Sequence, residues 1–454
     1  MSRKFSKKPL RGMKDFFPSD LREVQWVEGI VRDVADLYCY EEFDTPLLEP
    51  IEIFAAKSSE ELVNEQSFVV EKKKDERLIL RPEITPSLAR MVASKLQEFK
   101  KPLRWFSIPI CYRYERPQRG RMRSFRQINF DILGEDNLHA ELEMFNIIID
   151  ILTSFGATSK QFQIYYNNRR FIDAICDLVL KIPDDKMPLV YKVIDKSEKM
   201  DDKEFENYVS ESFQEDFITQ GILKLKNSKN LEDLLSNFKD LDDGFYETKG
   251  YKEIKKLEDL IAINNISDYC SFSSSVVRGL DYYTGTVFEV FDTGTENIRA
   301  ISGGGRYDDL LSLFSDDKLS GVGFGMGVLM LSLFLKTYDL IPEYAGNKDY
   351  TDVIYLIPIN ESVAPYANKV AKIIREEDLP CLVDYKFKNL KTQLKKASDL
   401  GVLIVLIFGP KEMDKNQITL KNMKTEEQKT VETDNIIDEI FELIDDFGDT
   451  IPDE

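Results

Sequence analysis

Residues 112–134 read YRYERPQRGRMRSFRQINFDILG, and this stretch decides the fold. Taken with the residues just before it, the segments 103–115 (LRWFSIPICYRYE) and 125–133 (FRQINFDIL) have the character of two strands of one hairpin joined by an arginine-rich loop. Side chains alternate faces along a strand, so Arg113 and Glu115 share one face of the first strand, and Phe125, Gln127, Asn129 and Asp131 share one face of the return strand. One floor thus offers a cation, an aromatic plate, an amide and a carboxylate. Those groups suit a ligand carrying a phosphate, a flat base and an N–H-bearing or cationic group. A cross-strand ladder of Arg113 with Asp131 is the purely structural alternative. The loop argues for an anion: positions 113–126 hold six arginines against one glutamate, and clustered guanidinium groups repel unless anions neutralise them.

Working outward, RPEIT (81–85) precedes a helix start at Thr85-Pro86, with threonine suited to the N-cap and proline to the first turn. Glu83 has no such structural duty and is a candidate for an ammonium group. Residues 20–38 form an amphipathic helix with Val24, Val27, Ile30, Val31 and Val34 on one side, and a further helix is expected at about 138–154. Residues 170–265 are charged and helical, an insertion between two strand-rich blocks. Strands return at 282–291, followed by a glycine-rich turn and an apolar helix at about 326–336. Here RGLDYYTGTVFE (278–289) and SGGGRYDDL (302–310) concentrate Gly, Tyr and Arg. Neither SGGGRYDDL nor GVGFGMG (321–327) has the spacing of a phosphate-cradling P-loop or a dinucleotide fingerprint. Gly303–Gly305 permit close backbone approach, and Tyr283 and Tyr307 offer hydroxyls. After a polar linker, DVIYLIPI (352–359), a helix at 361–377, PCLVDY (380–385), a lysine-rich helix and GVLIVLIFG (401–409) alternate as a small α/β domain. Residues 432–454 carry ten acids and no Lys or Arg, which predicts a solvated acidic end.

The 454 residues suit about three domains, and the net charge of −20 rules out a general basic coat. Basic residues gather in three strips instead, at 1–14, 113–126 and 386–396, as expected for a long polyanion touched at several points. The single histidine, His139, rules out a histidine-rich metal cage and is the only possible member of a Ser-His or Cys-His pair. It lies in an acidic run outside every site motif and is assigned no role. The five cysteines (39, 111, 176, 270 and 381) show no zinc spacing and suit reduced thiols in a cytoplasmic protein. The N-terminus lacks the apolar core of a signal peptide, and the longest uncharged run, between Lys318 and Lys336, is too short to span a membrane.

These motifs, in this order, resemble the histidyl-tRNA synthetases, class II aminoacyl-tRNA synthetases, along nearly the whole chain. RGMKDFFP (11–18) resembles the family's opening; the helix 20–38 with TPLLEP (45–50) resembles motif 1, the dimer-forming element; residues 112–134 resemble motif 2 with its loop. RGLDYYTG and SGGGRYDDL are similar to the two histidine-specific signatures, and VDYKFKNLKTQLKKASDLG (383–401) to the anticodon-binding domain. The resemblance implies an α+β catalytic domain on an antiparallel six- or seven-stranded sheet (1–335), a helical insertion within it (170–265) that closes over the acceptor stem, a linker (336–350), an α/β anticodon-binding domain (351–446) and an acidic tail (447–454). It implies ATP-dependent activation of L-histidine to histidyl-adenylate and transfer to the 3′ end of tRNA(His), with Mg2+ beside ATP, in a homodimer.

By motif position, the resemblance gives Arg113 and Arg278 the catalytic roles on either side of the reacting carboxylate. Glu83, Thr85 and Gln127 fall at the α-amino group of histidine, Asp131 and Tyr283 at its imidazole, and Tyr282 and Tyr307 at the pocket walls. Phe125 falls under adenine, with Arg113, Glu115, Arg121, Arg123, Gly304 and Gly305 around ATP. Gln118, Arg119, Lys388, Lys391 and Lys395 fall at tRNA. One position departs from the pattern: aligning GFGMGVLMLSLFL (323–335) sets Met330 where motif 3 carries an arginine that meets adenine and the γ-phosphate, and Leu329 where an acid usually stands. That departure leaves open a second reading, a histidine-binding regulatory protein of synthetase-like fold without aminoacylation activity.

Overall fold

The computed structural model describes residues 5–55, 66–71, 77–197, 200–238, 241–277 and 282–448. The chain divides into two compact units, Met1–Ala345 and Gly346–Glu454. In the first, the strands are β1 (Glu41–Glu42), β2 (Leu48–Pro50), β3 (Phe68–Glu71), β4 (Arg77–Leu80), β5 (Leu103–Ser107), β6 (Ile110–Tyr112), β7 (Ser124–Leu133), β8 (Phe162–Asn168), β9 (Cys270–Phe272), β10 (Thr286–Asp292), β11 (Ser302–Tyr307) and β12 (Gly321–Gly327). Among the described residues, nine of them make one sheet in the order β1-β5-β7-β12-β11-β10-β8-β9, with β6 also paired to β7. The six central strands are antiparallel throughout; the edge pairs β1–β5 and β8–β9 are parallel. The hairpin expected at 103–115 and 125–133 is present with one difference. Its first strand is split at Ile108-Pro109, because proline offers no N–H to the ladder, and β7 pairs with both halves.

Alternation along β7 sorts the two faces. Ile128, Phe130 and Ile132 are fully buried on the core face, where Phe130 stacks between Phe106 and Phe324 at 5.3 Å on each side. Burying a ring of this size contributes about 2–3 kcal/mol. The helices Pro18–Leu37 and His139–Ser154 cover this face with their apolar sides. Two ion pairs lock the layers: Arg126 donates to Glu28 at 2.8 Å, and the buried Arg306 binds Glu141 through two nitrogens while donating to the carbonyls of Glu135 and Asn137. The other face of β7 carries Gln127, Asn129 and Asp131, and there the sheet is left open by glycine.

Helices from Arg169–Ala174 to Lys249–Ile263 fill the expected insertion. Polar caps start several of them: Asp201 accepts from the N–H groups of Lys203 and Glu204, and Asn230 from that of Asp233. Gly250 lets the last helix lie directly on the first, since a Cβ there would stand 2.3 Å from the carbonyl carbon of Arg170.

The second unit is a mixed five-stranded sheet, β14-β13-β15-β16-β17, from β13 (Ile354–Pro358), β14 (Cys381–Val383), β15 (Ile404–Phe408), β16 (Gln417–Asn422) and β17 (Gln428–Glu432). The β13, β14 and β15 strands are parallel, as the alternation of β and α predicts; β16 and β17 add antiparallel. Two expectations are corrected. The acidic end is a helix, Ile436–Gly448, with Ile436 and Ile440 fully buried and Leu443 and Ile444 packed on the core; apolar residues at a helical period outweigh the acidic composition. Thr85 is the first residue of the helix Thr85–Ser94 and makes no cap; the N-cap is Ile84, without a side-chain bond.

Candidate active site

The site begins with a row of missing side chains. In register, Asp131 of β7 lies opposite Gly323 of β12, which lies opposite Gly305 of β11; one pleat away the row is Asn129, Gly325 and Gly303. A Cβ at Gly323 would meet Asp131 Oδ1 at 2.4 Å, one at Gly325 would meet Gln127 Nε2 at 2.0 Å, and one at Gly305 would press on the Tyr283 ring at 3.0 Å. The glycines therefore make the room into which the polar side chains of β7 lean. Gly304 lies on the opposite face, against Phe288 and the core, so of the glycine run it is Gly303 that lines the cavities.

A small cavity of about 60 Å3 is lined by Glu83, Thr85, Arg113, Gln127, Asn129, Asp131, Tyr282, Tyr283 and Tyr307 together with these glycines. Asp131 is buried; its Oδ1 accepts from the Tyr307 hydroxyl, and its Oδ2 has no partner among the described residues. Burial pushes its pKa from 3.8 up to about 7; the Glu83 charge raises it further and the Tyr307 bond opposes. Tyr282 donates to Glu83 Oε2 at 3.1 Å. Burial raises the pKa of all three tyrosines, so they remain donors. A buried carboxylate oxygen without a donor is costly, and here it faces a space fit for a small planar N–H group.

A larger cavity, about 690 Å3, adjoins the first and shares Arg113, Gln127, Gly303 and Gly325 with it. Arg113 stands at the boundary. Its Nε donates to the Pro82 carbonyl at 3.0 Å, and its guanidinium lies 5.2 Å from the centre of the Phe125 ring. Phe125, Glu115, Arg121, Arg299, Glu289, Leu329 and Met330 line the larger space. The arginine-rich loop folds back at Gln118–Arg121, with Gly120 at φ +76° in the turn. Arg121 pairs with Glu115 at 2.8 Å. Arg119 donates to Asn297 at 3.2 Å and neighbours Glu296, so it is tied to the loop before β11. Arg123 lies 3.9 Å over the Tyr114 ring and donates to the Glu115 and Arg11 carbonyls, which docks the RGM segment at 11–13 on the loop. It does not line either cavity.

Gln118 sits at the base of the loop turn. Arg278 lies outside the described residues; Arg169 donates to the carbonyls of Val277 and Tyr283 on either side of that gap. Lys388, Lys391 and Lys395 belong to the second unit, exposed on and before the helix Leu390–Asp399. His139 is exposed at a helix start, away from both cavities. Among the described residues, no three His, Cys, Asp or Glu side chains are grouped to hold a metal ion. Arg299, Glu289, Gly323 and Gly325 are site residues to which motif reasoning gives no role: Glu289 ends RGLDYYTGTVFE and the glycines lie in GVGFGMG, where other features draw the reading, and Arg299 lies in a stretch without a distinctive spacing.

Comparison with known proteins gives concordant results. The model of the family described as histidyl-tRNA synthetase matches residues 12–331, and that of the anticodon binding domain matches residues 353–443. The histidine–tRNA ligase of Leptospira biflexa is 35% identical over 438 residues, covering 95% of this chain and 97% of that protein. The chloroplastic/mitochondrial histidine–tRNA ligase of Arabidopsis thaliana is 33% identical over 437 residues, 96% of this chain and 87% of that one. The crystal structure of histidyl-tRNA synthetase from Nostoc sp. PCC 7120 superposes with a TM-score of 0.73 at 22% identity, covering 97% of this chain and 100% of that one. An ATP phosphoribosyltransferase regulatory subunit/histidyl-tRNA synthetase from Bacillus halodurans has a TM-score of 0.71 at 20% identity over 90% of this chain and 100% of that one. No described helix is long and apolar enough to cross a membrane.

Proposed function

The chain belongs to the histidyl-tRNA synthetase family and is an aminoacyl-tRNA ligase, and from that premise we propose how its own residues carry the two half-reactions. The histidine carboxylate attacks the α-phosphorus of ATP, the bond to the β-phosphate oxygen breaks, and pyrophosphate leaves. A ribose hydroxyl at the 3′ end of tRNA(His) then attacks the acyl carbon and AMP leaves. Neither step asks the protein for much proton chemistry; both gain from fixed cations where phosphate charge develops.

The observation that carries this reading is the pair of adjoining cavities with Arg113 on their shared wall. Histidine occupies the smaller: Asp131 Oδ2 accepts from the imidazole, Tyr283 meets the ring, Tyr282 and Tyr307 hold the walls, and Glu83, Thr85 and Gln127 receive the ammonium. ATP occupies the larger, its adenine on Phe125 and its α-phosphate at Arg113, with Glu115, Arg121 and Gly303 around it. Arg278 is assigned to the opposite side of the reacting carboxylate by its motif alone. Mg2+ accompanies the triphosphate; Glu115 and Glu289 in the same cavity are hard oxygen donors, and Mg2+ needs only one or two such carboxylates beside phosphate oxygens. It neutralises phosphate charge when bound.

Gln118 and Arg119 on the loop, with the helical insertion, take the acceptor end of tRNA. Lys388, Lys391 and Lys395, exposed on and before the helix Leu390–Asp399, take the anticodon end. A homodimer is supported by the motif 1 region, where Leu37, Leu47 and Leu48 are exposed apolar residues, joined by Val69 and Val70 of β3, and the cytoplasm is the compartment that suits five free thiols.

Histidine-dependent exchange of pyrophosphate into ATP tests the proposal. The purified protein should catalyse exchange with histidine and with no other amino acid, and Asp131→Ala should abolish it while the fold persists. Histidine binding without exchange would refute the activation step.

A further inference from the structure

Met330 leaves the outer phosphates of ATP without a cation at the place where motif 3 would supply one, and the structure offers another source. Met330 lies in the first turn of the helix Val328–Thr337 and is buried. Its sulfur is the first atom a Cβ at Gly120 would meet, at 2.3 Å, and the second is Arg299 Cδ, at 3.2 Å. The tip of the arginine-rich loop, the Met330 side chain and the Arg299 stem therefore converge at one point on the wall of the larger cavity, which all three line.

Arg299 is held there from both sides. Asn297, two residues earlier, is buried and donates to Asp292 at 2.7 Å and to Thr337 Oγ1 at 3.1 Å. Thr337 belongs to the same helix as Met330, so this bond ties the Arg299 segment to that helix. Two residues later the Ile301 N–H donates to the Val290 carbonyl at 2.7 Å, and the Ile301 carbonyl accepts from Gly327 at 3.2 Å. The backbone that presents Arg299 is thus fixed at both ends to strands and helix of the site. Arg121, paired with Glu115, and Arg126, paired with Glu28, each at 2.8 Å, line the same cavity, and Arg113 stands at its boundary with the smaller one.

We propose that Arg299 is the residue that binds the β- and γ-phosphates of ATP, taking over from a different segment the charge that Met330 cannot carry. Met330 then serves as apolar support under the loop tip. A guanidinium is charged at any working pH and matches phosphate oxygens two at a time. This deepens the assignment of the larger cavity to ATP and rests on it.

The test compares Arg299→Ala with the parent protein in histidine-dependent pyrophosphate exchange, beside binding of a non-hydrolysable histidyl-adenylate analogue that carries no β- or γ-phosphate. Removing a charge-assisted hydrogen bond should raise the KM for ATP about tenfold to a hundredfold, leave the KM for histidine within about twofold, and leave affinity for the analogue unchanged; Arg299→Lys should lie between the two. ATP parameters unaltered by Arg299→Ala, or a parallel loss of analogue affinity, would overturn the proposal. Should Arg299→Ala fail to fold, Arg299→Gln decides on the same criteria. Absence of exchange in the parent protein is a separate outcome and refutes the activation reading itself.

Discussion

Asp131 answers two opposing demands. Burial raises its pKa from 3.8 to about 7, and because the folded value lies above the unfolded one, its contribution to stability is present below about pH 4 and is lost as pH rises towards 7. Removing the charge removes that loss. Unliganded Asp131→Asn should therefore be more stable than the parent at pH 8, by up to about 4 kcal/mol, and the advantage should vanish at pH 4; thermal melts at the two pH values measure it. The same carboxylate has to be ionised to accept an imidazole N–H without an added proton, so histidine affinity in the parent should weaken as pH falls below about 7, and Asp131→Asn should flatten that profile while weakening binding at pH 8. Titration calorimetry reads both, and a lower melting temperature for Asp131→Asn at pH 8 would show that the buried charge stabilises the fold instead. Strand alternation alone puts Gln127, Asn129 and Asp131 on one face, so this part of the site was legible in the sequence. The glycines opposite were not, because their partners on β7 are set by strand register across nearly two hundred residues.

Two glycines of different elements separate folding from function. At Gly250 an added Cβ would meet the carbonyl carbon of Arg170, backbone that cannot move aside; at Gly325 it would meet Gln127 Nε2, the far end of a flexible side chain. Gly250→Ala should destabilise the protein by about 1–3 kcal/mol despite the better helix propensity of alanine, because overpacking against backbone outweighs it. Gly325→Ala should keep the melting temperature and raise the KM for histidine, as Gln127 is displaced. Melting curves beside exchange kinetics distinguish the two, and equal loss of stability in both would contradict the contrast. Legibility followed a similar divide among elements. Helices with a clear apolar side and the strands of the β13–β14–β15 core are readable because one residue pattern dominates them. The β16 and β17 strands are not, since Ile418, Leu420 and Val431 turn to the core and the rest is Lys, Thr, Gln, Asn and Glu. The last helix was obscured in the opposite way, its five acids matching in number the five isoleucines and leucines that fix it.

For the molecule as a whole, a charge of −20 and a polyanionic partner coexist only if binding is confined to basic strips. The strip at 386–396 lies in the second unit, whereas both cavities belong to the first, so tRNA affinity and amino-acid activation should be separable. Replacing Lys388, Lys391 and Lys395 together by glutamine removes three exposed cations without touching a buried side chain; Lys396, which pairs with the buried Asp384 at 3.1 Å, stays in place to hold the loop. Each lysine withdrawn from a phosphate should reduce the dependence of log Kd on log salt by about 0.7 for a single-stranded region. The triple variant should thus bind tRNA(His) more weakly at low salt, with a slope shallower by about two, and retain the parent rate of histidine-dependent pyrophosphate exchange. Filter binding across a salt series and exchange assays measure the two. An unchanged slope would remove these lysines from the tRNA interface, and a reduced exchange rate would mean that the strip serves the first unit as well.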